Sequence, residues 1–381
     1  MNSGVVGAMQ NVKAYSCIGT AISNTGEMTI TSGEYNGALA GGGLYSISGG
    51  LFTSRPTFDM WNPGCVSADY SDEVYKYTVK EDNAEYNKYP FVASVTNADG
   101  TETSYKSLTR AAFAAQNGGT VKLIQDVAGQ QMVLRGSVTL DLNGFNIDAQ
   151  NTSWSHTIVV YGEDVKITDS SLAGTGSIGN RADAYNGYTV VVGKNAKLTL
   201  IKGCINGQSK ELSNKSTTAS GVLVQYGTFV MEGGVVYAGN HAGVSIGYGG
   251  TFTMTGGSII DDFGASYGAV CVDSDSGSSI FNMRGGTIEA VQYAIYLRDQ
   301  ITSDELICSL NISGGEIIIN ATSYSSYVIY GNQSAKVNAE NFAINISGKN
   351  AANTVVIKNM GSAILTNVTI NGVKYDTYPK A

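Results

Sequence analysis

Alternation of apolar and polar residues recurs along residues 221–317 in units that resemble one another. Each unit has a short alternating strand, a turn, a second alternating strand and a glycine pair, and the pairs stand at Gly233–Gly234, Gly256–Gly257, Gly285–Gly286 and Gly314–Gly315. The pairs recur after 23, 29 and 29 residues, and a period of about 20–50 residues is typical of a solenoid. No helical period separates the strands, so the pattern predicts an all-β fold, a parallel β-helix.

The strand before each glycine pair carries the predicted core. A period of two places alternate residues on one face of a strand, and stacking of the coils aligns these faces. We therefore expect one buried inward column with these members: Leu200, Met231, Met254, Met283 and Ile312. The glycines fit the same scheme, since a tight corner between strands favours residues without a Cβ.

The pattern divides the chain into four segments. Residues 1–55 contain coil-like stretches with Met28/Ile30 and Tyr45/Ile47 as inward pairs, and no helix covers them. Residues 56–90 break the pattern and hold three of the four prolines, which predicts a linker or a domain boundary. A strand and a helix are predicted over 91–119, and the main β-helix over 120–381.

The predicted helix is expected to cap the main coil. Leu108, Ala111, Ala112 and Ala115 fall at helical spacing before a Gly-Gly stop. We expect Leu108 and Ala112 to cover the open end of the main coil near Leu123 and Leu140, because a solenoid needs a cap over its exposed core. No comparable element follows residue 371, so the last coil is expected to be open, and end-to-end self-association through residues 1–55 is one hypothesis.

Composition narrows the classes of function. The chain has 381 residues and a net charge of −8, which argues against a nucleic-acid partner because such proteins carry a basic surface. Five cysteines without a C-x-x-C spacing predict structural thiols, and two histidines argue against a histidine-rich metal site. We expect no cofactor and no membrane-spanning segment, and the first ten residues do not resemble a secretion signal.

Three stretches carry a resemblance to a known family. They are SISGGLF at 46–52, the run from Tyr105 to Val127, and TLDLNGFNI at 139–147. The sequence resembles the pectin-lyase-like, right-handed parallel β-helix regions of large, adhesin-like surface proteins of gut-dwelling Gram-positive bacteria. This resemblance implies an extracellular or cell-surface location. It says little about chemistry, because the same coil carries lyases, hydrolases, adhesins and phage spikes.

Enzymes of this fold use clustered carboxylates with Lys or Arg, and one such cluster is predicted here. Asp273 and Asp275 follow one strand, and Arg298 and Asp299 stand at the matching place one coil later. Neighbouring strands lie about 4.8 Å apart, so these side chains are expected to meet. They are weak candidates for a general acid and base, or for holding Ca²⁺ against an acidic sugar if the chain is an enzyme. The alternative is a polar turn with a surface ion pair.

A second candidate is a row of outward residues on the first strand of each unit. Its predicted members are Val191, Leu223, Ser245, Cys271, Tyr296 and Val356. A contiguous apolar row at the surface indicates either a partner or a covering segment. We consider two explanations: cover by residues 53–90 of the same chain, or a ligand-binding face with Val191, Leu223 and Tyr296 in contact with a glycan or protein.

Three hypotheses of function follow. The first is a non-enzymatic extracellular module for adhesion or ligand presentation, with a glycan or protein partner. The second is a polysaccharide lyase or glycoside hydrolase that works in a groove along the coil. The third is a structural subunit that assembles end to end.

Overall fold

The computed structural model describes most of the chain. The described residues are 20–41, 43–150, 156–179, 187–208, 220–274, 276–298, 306–323, 325–331, 335–358 and 363–378. Two compact units are formed, one by Met1–Ser94 with Thr103–Phe113 and the other by Val95–Glu102 with Ala114–Ala381. Among the described residues, no helix is long and apolar enough to cross a bilayer.

The second unit is a solenoid of three parallel sheets. Sheet A holds the strands Asn117–Leu123, Ser137–Asp141, Asp164–Thr168, Lys197–Leu200, Thr228–Met231, Thr251–Met254, Ile280–Met283, Ser309–Ile312 and Lys336–Glu340. Sheet B holds Val127–Ala128, Asn146–Asp148, Ser177–Gly179, Cys204–Asn206, Val235–Tyr237, Ser258–Asp261, Thr287–Ala290, Glu316–Asn320 and Ala343–Ser347. Sheet C holds Met132–Leu134, Ile158–Val160, Tyr188–Val192, Ser220–Gln225, Ala242–Gly247, Val270–Asp273, Tyr293–Arg298, Ser326–Gly331 and Thr354–Lys358. Each coil contributes one strand to each sheet, which confirms the prediction of an all-β parallel β-helix.

The predicted inward column is confirmed. Leu200 pairs with Met231, and the register continues through Met254 and Met283 to Ile312. All five side chains are buried. The glycine pairs make room for this column: Gly286 has φ +83°, and a Cβ there would lie 2.5 Å from the Cε atom of Met254. A side chain at this corner would therefore both strain the backbone and collide with the core.

The last described coil ends in an antiparallel hairpin. Leu365–Ile370 pairs in parallel with strands of sheets A and B, and Val373–Tyr378 folds back against it. A strand thus occupies the edge that we expected to be open around Val368 and Ile370, so that expectation is wrong. The pattern gave no warning because residues 373–378 are mostly exposed and carry no inward stripe. A one-turn 3₁₀ helix, Ala351–Asn353, precedes the last strand of sheet C.

The first unit begins with two coils. Their strands are Thr20–Ser23, Glu27–Ile30, Glu34–Tyr35, Ala38–Ala40, Leu44–Ile47 and Leu51–Phe52, and the first three pair in parallel with the last three. Met28 pairs with Tyr45 and Ile30 with Ile47, and all but the half-buried Met28 are buried. The predicted coils therefore exist in the described part of residues 1–55.

Residues 56–90 are folded, so their prediction as a linker is wrong, and the first division between the units falls just after them, at Ser94. They form the 3₁₀ helix Phe58–Met60, the antiparallel strands Cys65–Asp69 and Tyr77–Glu81, and the short helix Asn83–Tyr86. Trp61, Val66 and Val79 are buried in one apolar cluster with Ile47 and Phe52. Prolines and charges interrupt the repeat here, but the apolar residues between them still reach the core of the first unit.

The boundary between the units falls within three elements. These are the strands Ala93–Thr96 and Glu102–Tyr105 and the helix Leu108–Ala115. The helix forms as predicted, with Leu108, Ala111, Ala112 and Ala115 buried. Within the first unit, Arg110 on this helix donates hydrogen bonds to the carbonyl oxygens of Tyr45, at 2.9 Å, and Trp61. Its capping of Leu123 and Leu140 stays a prediction.

Candidate functional site: the outer face of sheet C

The outward row of sheet C exists largely as predicted. Val191 pairs with Leu223, and the register continues through Ser245 and Cys271 to Tyr296. Val356 does not belong to this row. The row continues instead through Tyr330 and Lys358, because the register pairs Tyr296 with Tyr330 and Tyr330 with Lys358. The role of Val191, Leu223 and Tyr296 in binding stays a prediction.

Small residues create a depression in the middle of the row, and aromatic rings fill it. Ser245 and Cys271 point outward, yet only 5% and 1% of their surfaces are exposed. The Nδ1 atom of His241 lies 3.2 Å from Ser245 Oγ, and the His241 ring lies between the rings of Tyr188 and Tyr267, at centroid distances of 6.3 and 4.7 Å. Rings of the second unit itself thus lie against these small residues, and cover by residues 53–90 stays a hypothesis.

Four tyrosines continue the aromatic surface over the next two coils. Tyr293 pairs with Tyr327 in register, and Tyr296 pairs with Tyr330. The first pair is stacked with centroids 5.3 Å apart, and the second is tilted with centroids 4.8 Å apart. Tyr296 also contacts Tyr267 at 5.5 Å, which joins the four rings to the depression. All these rings are half-buried.

These rings form one continuous surface, which we call the aromatic face. Its members are His156, Tyr188, His241, Tyr267, Tyr293, Tyr296, Tyr327 and Tyr330. Both histidines of the chain belong to it. Each ring is presented by a strand of sheet C or by the turn that leads into one, so the parallel register of the sheet sets the spacing of the rings.

An ion pair borders the aromatic face. Asp273 and Arg298 are register partners, and Arg298 Nη1 lies 3.0 Å from Asp273 Oδ2. The guanidinium also lies over the Tyr267 ring, 4.8 Å from its centroid. The predicted meeting of these two side chains is confirmed. Asp275 and Asp299, the other two members of the predicted cluster, lie outside the described residues.

Burial keeps the central rings of the aromatic face uncharged. Desolvation, with a smaller contribution from the Arg298 charge, lowers the pKa of His241 to about 4. Desolvation, followed by smaller contributions from Cys271, Tyr248 and Asp273, raises the pKa of Tyr188 to about 12. Burial also lowers the pKa of His156. At neutral pH the surface therefore offers ring faces, hydroxyl groups and neutral imidazoles.

Asp261 and Asp262 form a further acidic pair in the main coil, and their contacts are structural. Asp261 is buried, and its carboxylate accepts hydrogen bonds from the backbone N–H groups of Gly264 and Ala265 at 2.8 and 3.0 Å. Burial raises its pKa. Asp262 is exposed and accepts a hydrogen bond from Gln208. The two carboxylates thus do not converge on one substrate position. In the described part of the chain, no group of three or more His, Cys, Asp or Glu residues is placed to hold a metal ion.

Of the aromatic face, only Tyr296 was predicted from the sequence. One signal was present: YAIY at 293–296 and YVIY at 327–330 repeat the same spacing one coil apart. Tyr188, His241 and Tyr267 carry no such signal, since Tyr188 begins a strand whereas His241 and Tyr267 lie in the turns before two later strands. The described cysteines form no disulfide with one another. No family model, no curated protein and no solved structure matches this chain significantly.

Proposed function

We propose that the chain is a non-enzymatic, extracellular β-helix module of a bacterial surface protein, and that it binds a glycan through the aromatic face. The pectin-lyase-like and adhesin-like character suggested by the sequence belongs to this proposal. The observation that carries it is the unbroken contact of half-exposed rings from Tyr188 to Tyr330 across the coils of sheet C.

The chemistry of these rings favours a sugar as ligand. A tyrosine combines a flat apolar body with a hydroxyl group that donates and accepts hydrogen bonds. A sugar has the same combination, with apolar C–H faces and hydroxyl groups around its edge. Stacking on Tyr296 and Tyr330 would bury the C–H faces, and the tyrosine hydroxyls would meet the sugar hydroxyls.

The repetition of the rings favours a chain of sugars over a single one. Neighbouring strands in a sheet lie about 4.8 Å apart, so equivalent positions recur at short, regular intervals along the coil axis. Tyr293 and Tyr327 occupy one such pair of positions, and Tyr296 and Tyr330 occupy another. A polymer laid along the axis would meet several rings at once, and its weak contacts would add up.

The alternative of a lyase or hydrolase has less support. Of the predicted acid–base cluster, Asp273 and Arg298 are engaged with each other at 3.0 Å. A carboxylate held by an arginine favours the ionised form and is poorly suited to donate a proton. The alternative of end-to-end assembly loses one premise, because the strand Val373–Tyr378 pairs along the edge of the last described coil.

The test is binding of the purified chain to an array of polysaccharides, with Tyr296→Ala and Tyr330→Ala as variants. We expect each variant to bind about tenfold more weakly, which corresponds to a loss of ~1.4 kcal/mol in binding free energy. Tyr375→Ala is the matched control, because Tyr375 also belongs to an aromatic pair, with Tyr378 at 5.5 Å, but lies in the terminal hairpin.

Three results would contradict the proposal. They are the absence of binding to any glycan, equal losses in the control and the test variants, and release of shortened or unsaturated sugar products. The last result would support the enzyme alternative.

A further inference from the structure

We infer that the aromatic face selects uncharged glycans and discriminates against polyanionic ones, and that Asp273 is the residue that sets this specificity by masking Arg298. The inference rests on the proposed function and adds the class of glycan to it. It follows from the contacts that hold Arg298 beside the central rings.

Arg298 is engaged on two sides. Its guanidinium donates to Asp273 Oδ2 at 3.0 Å, and the Tyr267 ring lies 4.8 Å below its Cζ atom. The Arg298 side chain is 28% exposed and that of Asp273 is 16% exposed, so the pair is partly desolvated. A planar guanidinium is the preferred partner of a sugar carboxylate or sulfate because it makes two parallel hydrogen bonds. Here the protein's own carboxylate holds that position.

Apart from this pair, the described residues of the central surface offer an anion no positive charge. The charged groups that shift the pKa values of Tyr188 and His241 are Asp273 and Arg298, and these two neutralise each other. His241 is neutral at pH 7 because its pKa is about 4. A carboxylate pressed against these rings would lose hydration and meet only uncharged hydrogen-bond donors. The net charge of −8 adds a long-range repulsion.

Lys358 marks the limit of this uncharged region. It follows Tyr330 in the register of sheet C and is exposed. An exposed lysine contributes little to a specific contact, because water and salt screen its charge. Specificity is therefore attributed to the Asp273–Arg298 pair and not to Lys358, and variants at the two places test this difference.

The experiment compares neutral polysaccharides with carboxymethylated forms of the same polymers. Dextran, a mixed-linkage glucan, a mannan and a xylan serve as neutral probes, each beside its carboxymethylated form. The dissociation constant of the intact chain is measured for each at low and at high salt. We expect neutral polymers to bind more tightly than their carboxymethylated forms, with little dependence on salt.

The decisive variant is Asp273→Asn. It removes the masking carboxylate and leaves Arg298 with its donors, so affinity for carboxymethylated polymers relative to neutral ones is expected to rise about tenfold. This gain is expected to fall with added salt. The double variant Asp273→Asn/Arg298→Gln is the control. It replaces both partners, which destabilises less than leaving one charge unpaired, and it is expected to lose the gain.

Several outcomes would overturn the inference. Equal or tighter binding of carboxymethylated polymers by the unaltered chain contradicts it but leaves the proposed function standing. The role of the pair is contradicted if the double variant keeps the gain in affinity for carboxymethylated polymers. It is also contradicted if that gain is lost only when Lys358→Ala is combined with Asp273→Asn. Failure of every polymer to bind contradicts the proposed function as well, and with it this inference. Circular dichroism of each variant distinguishes a binding effect from a folding defect.

Discussion

Two aromatic arrays run along the same coil, one inside it and one outside. Inside, the rings of Phe229, Phe252 and Phe281 stack at 4.9 Å with interplanar angles of 11° and 4°, and all three are fully buried. Outside, Tyr296 meets Tyr330 at 37° and Tyr267 at 82°. The same parallel register supports both arrays. Inside, packing from all sides forces one orientation, whereas the outer rings have a free side and range from stacked, as in Tyr293 and Tyr327 at 10°, to edge-on.

The outer face of sheet A shows that a coil does not need aromatic residues outside. There the successive outward residues are Thr253, Asn282, Asn311 and Asn338, and each asparagine donates a side-chain hydrogen bond to the residue before it, at 2.9–3.4 Å. Beside the backbone pairing, the outer face of sheet A thus carries hydrogen-bonded polar side chains where sheet C carries rings. The tyrosines of sheet C are not required by the fold alone, which supports a role in binding.

Truncation of the inner array should produce the largest effect. Phe252→Ala would leave a cavity between two stacked rings, and we expect it to lower the free energy of unfolding by about 3–5 kcal/mol. Tyr296→Ala should cost less than half of that, because Tyr296 is half-buried and water can replace its ring. The midpoints of chemical denaturation of the two variants measure this difference. Equal losses would contradict the division between a structural inner array and a functional outer one.

The inner array could be predicted from sequence because its cause is local. Alternation along one strand places Phe252 and Met254 on the same face, and repetition of the pattern fixes their neighbours. The outer array could not be predicted in full. Tyr188 begins a strand and His241 lies in a turn of a later coil, and no period in the sequence records the contact of their rings. Residues 56–90 were misjudged for the same reason, since Trp61 and Val79 enter a core without repeating any pattern.

Acidification should weaken the outer array and leave the inner one unchanged. His241 has an ordinary pKa of 6.5 and a pKa of about 4 in the folded chain, so the unfolded chain binds more protons between these values. Stability is therefore retained above about pH 6.5 and lost as the pH falls toward 4. At ~1.4 kcal/mol per pKa unit, the loss attributable to His241 is at most about 3–4 kcal/mol.

The matched variant for this prediction is His241→Gln, which keeps a polar group beside Ser245 but does not titrate. Carboxylates also titrate in this window, so the quantity to compare is the difference in unfolding free energy between the two chains at each pH. We expect this difference to shrink from pH 7 to pH 4. A constant difference would show that His241 is protonated as easily in the folded chain as in the unfolded one.

The smallest expected effect concerns the polar outer face of sheet A. Asn311→Ala removes two side-chain hydrogen bonds, one donated to Asn282 Oδ1 at 2.9 Å and one accepted from Asn338 at 3.0 Å. These amides are partly exposed, and water can take the vacated positions. We therefore expect a loss of only about 0.5–1.5 kcal/mol in unfolding free energy and no change in glycan affinity. A loss as large as that of Phe252→Ala would show that the amide ladder, and not the inner array, holds these coils together. A loss of glycan binding would move the ligand from the aromatic face of sheet C to the outer face of sheet A.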